Sequence, residues 1–283
     1  MKGYCAVAVG AALGVLALAG CTTVAVPAGS PEFGRAGAPA PRPLDYATLM
    51  RIGAAAQKGG DLANALGVYR RAAALDPRAA APFVAAGDTL FRMRRFNEAI
   101  VSYNAALARA PHDPAALRGL ARACLRTGRP ELAARPLAVA YRDSPNDPKL
   151  LQLIGVSDDF AGRHAAAQAK YLRGLHLLPN DPGLSVDLAL SLALTGDYGH
   201  AVAVLHPLAT APNSTMRERQ TLALIYGLQG DRAAAGRLAR VDLGPAAVQH
   251  NLAYYDTLRG LSPEARARAI EALGRSSVPA GPT

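Results

Sequence analysis

Residues 148–181 read PKLLQLIGVSDDFAGRHAAAQAKYLRGLHLLPND, and the same frame returns on both sides of this stretch every 34 residues. Gly162 stands where a left-handed residue would end one helix of a hairpin before the next begins. Stepping outward by 34, that slot holds Gly60, Arg94, Gly128, Gly162, Gly196 and Gly230, with no insertion or deletion, and each is followed by Asp or Arg. On the first helix a small residue recurs at Gly53, Gly87, Ala121, Gly155, Ala189 and Ala223, preceded by apolar Ile52, Ala86, Leu120, Ile154, Leu188 and Leu222. On the second, alanine fills all six slots at Ala65, Ala99, Ala133, Ala167, Ala201 and Ala235. Four residues later, on the same helical face, come Tyr69, Tyr103, Leu137, Tyr171, Leu205 and Ala239. Pro77, Pro111, Pro145 and Pro179 stop the second helix by removing an N–H; the fifth repeat carries its proline one place early, at Pro212, and the sixth has lost it.

A 34-residue period of small, bulky, small and proline positions resembles the tetratricopeptide repeat, over about Tyr46 to Asp242. Six repeats follow, at 46–79, 80–113, 114–147, 148–181, 182–215 and 216–244. The Trp that usually opens this repeat is replaced by Leu49, Phe83, Leu117, Leu151, Ser185 and Arg219, and the last two departures blur where helices five and six of the first-helix row begin. The hydrophobic share is 51%, mostly Ala and Leu with no Trp, which favours closely packed helices over sheets. The expected fold is all-α: a right-handed superhelical solenoid of about six hairpins. Helices at Pro245–Leu258 and Pro263–Leu273, within 245–275, would cap its exposed end, and a disordered tail would occupy 276–283.

Ahead of the array, Lys2 precedes an uncharged run from Cys5 to Gly20 that reads as a secretory signal, residues 1–20. It ends in Leu18-Ala19-Gly20-Cys21, which matches the bacterial lipobox, with Cys21 as the lipidated residue. An ordinary cleaved signal or an uncleaved anchor are the alternatives, although the run is shorter than the 18 or so residues of a spanning helix. Residues 21–43, rich in Pro, Gly and Ala, would form a tether reaching a few nanometres from the bilayer. Thr22, where Gram-negative lipoproteins retained in the inner membrane commonly have Asp, points to the periplasmic face of the outer membrane.

The net charge of +10 comes from scattered arginines, without a polybasic run or an aromatic platform, so nucleic acid is not an expected partner. The histidines at 112, 164, 176, 200, 206 and 250 are dispersed, and no Walker, GxSxG or HExxH motif is present. No catalysis, metal or cofactor is expected. Cys124 reads as a buried small hydrophobe. Asp158 falls in the equivalent slot one repeat later, so it needs an Arg or a helix-end partner unless the helix is locally shifted.

In such a superhelix the first helices line the inner face. Arg118, Arg122 and Arg126, spaced by four, stack on one stripe there, with Arg92 from the preceding repeat nearby. Val186, Leu190 and Leu224 continue the same positions as an apolar floor. This makes a candidate groove for a segment with an acidic part and an apolar part; the plainer alternative is a solvated arginine face. The runs VDLALSLALTG at 186–196, RQTLALIYGLQGD at 219–231 and NLAYYDTLRG at 251–260 resemble the TadD family of tight-adherence (Tad/Flp) pilus assembly lipoproteins. That resemblance implies a non-enzymatic outer-membrane assembly factor binding protein partners in the periplasm, such as a secretin, and holding the membrane through its N-terminal lipid. A pilotin of another type IV pilus or secretion system, or a repeat subunit of an envelope enzyme complex such as polysaccharide synthesis and export, would look similar.

Overall fold

The computed structural model describes residues 44–276; the signal, Cys21 and tether expected before residue 44, and the tail beyond 276, lie outside the described residues. Every regular element among them is helical. Six hairpins follow in order: α1 (Tyr46–Lys58) with α2 (Leu62–Leu75), α3 (Ala81–Arg92) with α4 (Phe96–Leu107), and α5 (Pro114–Arg126) with α6 (Pro130–Asp143). Then come α7 (Pro148–Phe160) with α8 (His164–Leu177), α9 (Pro182–Leu194) with α10 (Tyr198–Ala209), and α11 (Met216–Gln229) with α12 (Arg232–Asp242).

Local chemistry sets these boundaries. Asp45, Asp113, Asp147 and Asp181 each accept a hydrogen bond from the backbone N–H three residues on, and proline opens α5, α7 and α9. Thr215 and Glu218 make a reciprocal capping box for α11. Between the helices of each hairpin all six turn residues adopt positive φ: the five glycines lie between 71° and 99°, and Arg94 takes 60°. The two openers that depart from the pattern still begin their helices in register. Ser185 Oγ donates to the Asp181 carbonyl at 3.0 Å. Arg219 grips the Asp242 carboxylate at the end of α12 and donates to the Ser214 carbonyl at 2.6 Å.

The small slots on the first helices have a steric cause. A Cβ added to Gly53, Gly87 or Gly155 would lie 2.5, 2.7 or 2.4 Å from the ring of Tyr69, Tyr103 or Tyr171 respectively. Where the first helix carries Ala121, Ala189 or Ala223, the facing slot holds the smaller Leu137, Leu205 or Ala239. The first five hairpins therefore conserve volume across this contact, and the sixth, with Ala223 facing Ala239, does not. Cys124 is buried, and burial pushes its thiol up, away from the reactive thiolate. Asp158 is buried too, and meets Arg163, whose Nη2 and Nε donate to it at 2.6 and 3.0 Å.

Each first helix also touches the first helix of the next repeat, from α1 through α11, whereas the second helices form no comparable row. That crowding puts the first helices on the inner side of the curve. α13 (Pro245–Arg259) extends the stack by packing on α11 and α12, as a seventh first helix would. α14 (Pro263–Ser276) does not take the matching second-helix place: it packs on α13 and returns to α9, two repeats back, on the inner face. The expected end cap is thus in part an inward fold.

Candidate partner groove

Residues spaced by four along successive first helices define the inner surface, and their chemistry changes from repeat to repeat. α5 presents Arg118, Arg122 and Arg126; the equivalent positions are Gln152, Val156 and Phe160 on α7, and Val186, Leu190 and Leu194 on α9. The stripe passes from cationic through mixed to apolar over three hairpins. A cavity of about 310 Å³ spans the transition, walled by Arg122 and Arg126 on one side, floored by Leu153 and Val156, and closed by Leu190, Leu194 and Ile270 on the other. A second, about 560 Å³, continues it past Arg118 and Lys149 and shares Arg122, Leu153, Val156 and Asp187.

The residues singled out from sequence are distributed unevenly along this surface. Arg122 and Arg126 both line the first cavity, each with its charge over an aromatic ring: Arg122 Cζ lies 4.4 Å from the Phe91 ring centre and Arg126 Cζ lies 5.4 Å from that of Phe96. Burial, with the nearby Arg94 charge, pushes the Arg126 guanidinium below its ordinary value. Arg118 sits in the second cavity and pairs with Asp147 at 2.8 Å. Arg92 instead reaches back to the Gln57 carbonyl at 2.6 Å, tying α3 to the end of α1. Leu190 lines the cavity, Val186 is buried beneath the surface, and Leu224 is half-buried between two core clusters without lining either cavity.

Two carboxylates in the floor had no part in the sequence reading of the groove. Asp187 accepts from Gln152 Nε2 at 2.6 Å and pairs with Arg217 at 2.8 Å. Asp159 accepts from Ser191 Oγ at 2.7 Å and Tyr171 Oη at 2.8 Å, and meets His164 Nδ1 at 2.8 Å. Burial raises the pKa of both, against the opposing pull of these partners. The available signal was Asp187 itself, a lone acid inside the apolar run of α9. Among the described residues no group of three or more His, Cys, Asp or Glu side chains could hold a metal ion.

The model of the tetratricopeptide repeat family matches residues 84–148, most of the second repeat, all of the third and the first residue of the fourth. Residues 84–148 match the tetratricopeptide repeat, and the same helical hairpin recurs from α1 to α12. The array is similar in fold to a tetratricopeptide repeat protein from Parabacteroides merdae ATCC 43184, with a TM-score of 0.63 and 16% identity over 76% of this chain and 85% of that one. It is also similar to pilF of Pseudomonas aeruginosa, with a TM-score of 0.60 and 20% identity over 74% and 97% of the two chains. A third is YrrB, described as a tetratricopeptide repeat protein with an unusual peptide-binding site, at a TM-score of 0.50 and 17% identity over 69% and 92%. No curated protein matches the sequence. These likenesses show the fold, a tetratricopeptide-type array of helical hairpins. No helix among the described residues is long and apolar enough to cross a membrane.

Proposed function

We propose that this tetratricopeptide protein is a lipid-anchored assembly scaffold that holds a protein partner in its inner groove, at the periplasmic face of the outer membrane, during biogenesis of a Tad/Flp-type pilus. The observation that carries the binding role is the cavity between Arg122 and Arg126 and the apolar surface of Val156, Leu190 and Leu194. A partner segment with a carboxylate beside apolar side chains suits both walls at once: the positive charge of the arginine wall attracts the carboxylate, and the floor removes apolar surface from water. The membrane attachment rests on the lipobox ending at Cys21 and on Thr22 after it. The pilus assignment, with a secretin as the favoured partner, rests on the likeness of residues 186–196, 219–231 and 251–260 to the TadD family.

A photo-crosslinking residue at Val156 in the source cell tests the binding role directly. The expected adduct contains the secretin or another pilus assembly component, and Arg122→Glu with Arg126→Glu reduces its yield at least tenfold. Undiminished yield from the folded double variant sinks the groove. Fractionation of Cys21→Ser tests the anchor separately, with release from the membrane as the expected outcome.

A further inference from the structure

The sequence of α9, PGLSVDLALSLAL, is apolar nearly all the way round, as befits a helix covered on every side. Its neighbours α7, α8, α10 and α11 cover most of it. The remaining side faces the inner groove, where α5 carries arginines at the equivalent positions, and there α14 lies. Ala267 and Ile270, three apart and so on one face of α14, join the core cluster of Val186, Ala189 and Leu194. Arg266 fixes the corner between α13 and α14, donating to the carbonyls of Leu258, Arg259 and Leu261 and to the Tyr198 hydroxyl, all at 3.0 to 3.1 Å. Ile270 also forms one end of the cavity whose other end is Arg122 and Arg126.

We propose that the apolar end of the groove is a receptor for an amphipathic helix, that α14 is its resident occupant, and that a partner helix enters by displacing α14. The occupant's class is shown by the chain's own choice: a helix presenting a small and a branched apolar residue at i and i+3. The mixed stripe beyond adds that a partner helix should carry an acidic residue on the turn nearest α5. α14 has the advantage of a short connection through Gly260 to Ser262, which gives it a millimolar-scale effective concentration at its own seat. The external helix must therefore bind more tightly than α14 does in isolation, and the seat acts as an affinity threshold.

The test needs no natural partner. A fluorescent synthetic peptide of residues 262–276 is titrated into the full chain and into its Ile270→Glu variant, with circular dichroism to verify that the helices persist. Peptide binding to the variant at least tenfold tighter than to the wild type is expected, because the variant's own α14 has left the seat. Adding Leu190→Glu to the variant should abolish binding, as should Ile270→Glu within the peptide. Equal binding to wild type and variant, or none to a folded variant, overturns the proposal. Should Ile270→Glu fail to fold, Arg266→Gln loosens the corner while leaving the seat intact; at least threefold faster amide exchange across α14 is expected, and unchanged exchange overturns it. The claim about partner entry rests on the groove reading above, but the two fail separately. Peptide results report on the seat beneath α14, whereas crosslinking at Val156 reports on the partner.

Discussion

Arg94 is the residue at which the repeat departs most plainly from its own rule, because the other five turns put glycine where this one holds a side chain at a φ of 60°. A residue with a Cβ in that conformation costs about 1 kcal/mol or more relative to glycine. Arg94 also adds its charge to that of the partly buried Arg126. Arg94→Gly should therefore stabilise the array by about 0.5–1 kcal/mol, net of the extra freedom glycine gives the unfolded chain, and urea unfolding would measure it; a loss of stability would contradict the strain. The opposite sign is expected at Gly155, where a methyl group would meet the Tyr171 ring at 2.4 Å. Gly155→Ala should cost about 1–3 kcal/mol as an overpacked contact. Combining it with Tyr171→Leu recreates the Ala121 and Leu137 pairing of the third repeat, so the double variant should lose less than the sum of the singles. Additive losses in that cycle would mean the paired slots do not exchange volume.

At the scale of helices, most boundaries were legible because single residues decide them: capping aspartates, opening prolines and left-handed turns act locally and leave a periodic trace. The two weak openers were not legible, since their remedies are distant in sequence. Arg219 works in an apolar slot only because Asp242 comes to it from the end of α12. Hydrogen bonds from Arg219 hold the Asp242 carboxyl below its ordinary value, so its contribution is fully present above about pH 4 and is lost as pH falls through the depressed folded value. Asp242→Asn should thus lower the melting temperature at pH 7, with the gap to wild type closing as the medium is acidified below the ordinary carboxylate range. A gap that persists undiminished in acid would show that the ion pair is not its source. The placement of α14 was hidden for a similar reason. Its sequence reads as an amphipathic terminal helix, and only the uncovered face of α9 reveals where such a helix goes. The arginine stripe was legible by spacing, but spacing could not tell that Arg92 turns back to Gln57, that Arg118 pairs with Asp147, or that Arg122 and Arg126 lie over Phe91 and Phe96.

Across the array the fully buried apolar residues fall into clusters. One runs from α2 to α7 and another from α9 to α14; a smaller one in α8 and α9 joins them only through partly buried Val156, Leu192 and Val204, and the floor carboxylates lie at this seam. In a solenoid, where each repeat leans only on its neighbours, such a seam is the place where the two halves can lose cooperativity. Asp159 sits there with its pKa raised, burial outweighing the hydrogen bonds from His164, Ser191 and Tyr171. A carboxyl that holds its proton more firmly in the folded state stabilises most below the ordinary value of 3.8. That stabilisation is lost as pH rises through the elevated folded value. Asp159→Asn keeps a hydrogen-bond acceptor for Tyr171 or Ser191 and never ionises. Its melting temperature relative to wild type should therefore rise between pH 4 and pH 7, and amide exchange in α7 to α9 at pH 7 should slow. A relative melting temperature that falls over that range would mean that the charged carboxylate, held by its three partners, is what joins the halves, and the seam would have to be placed elsewhere.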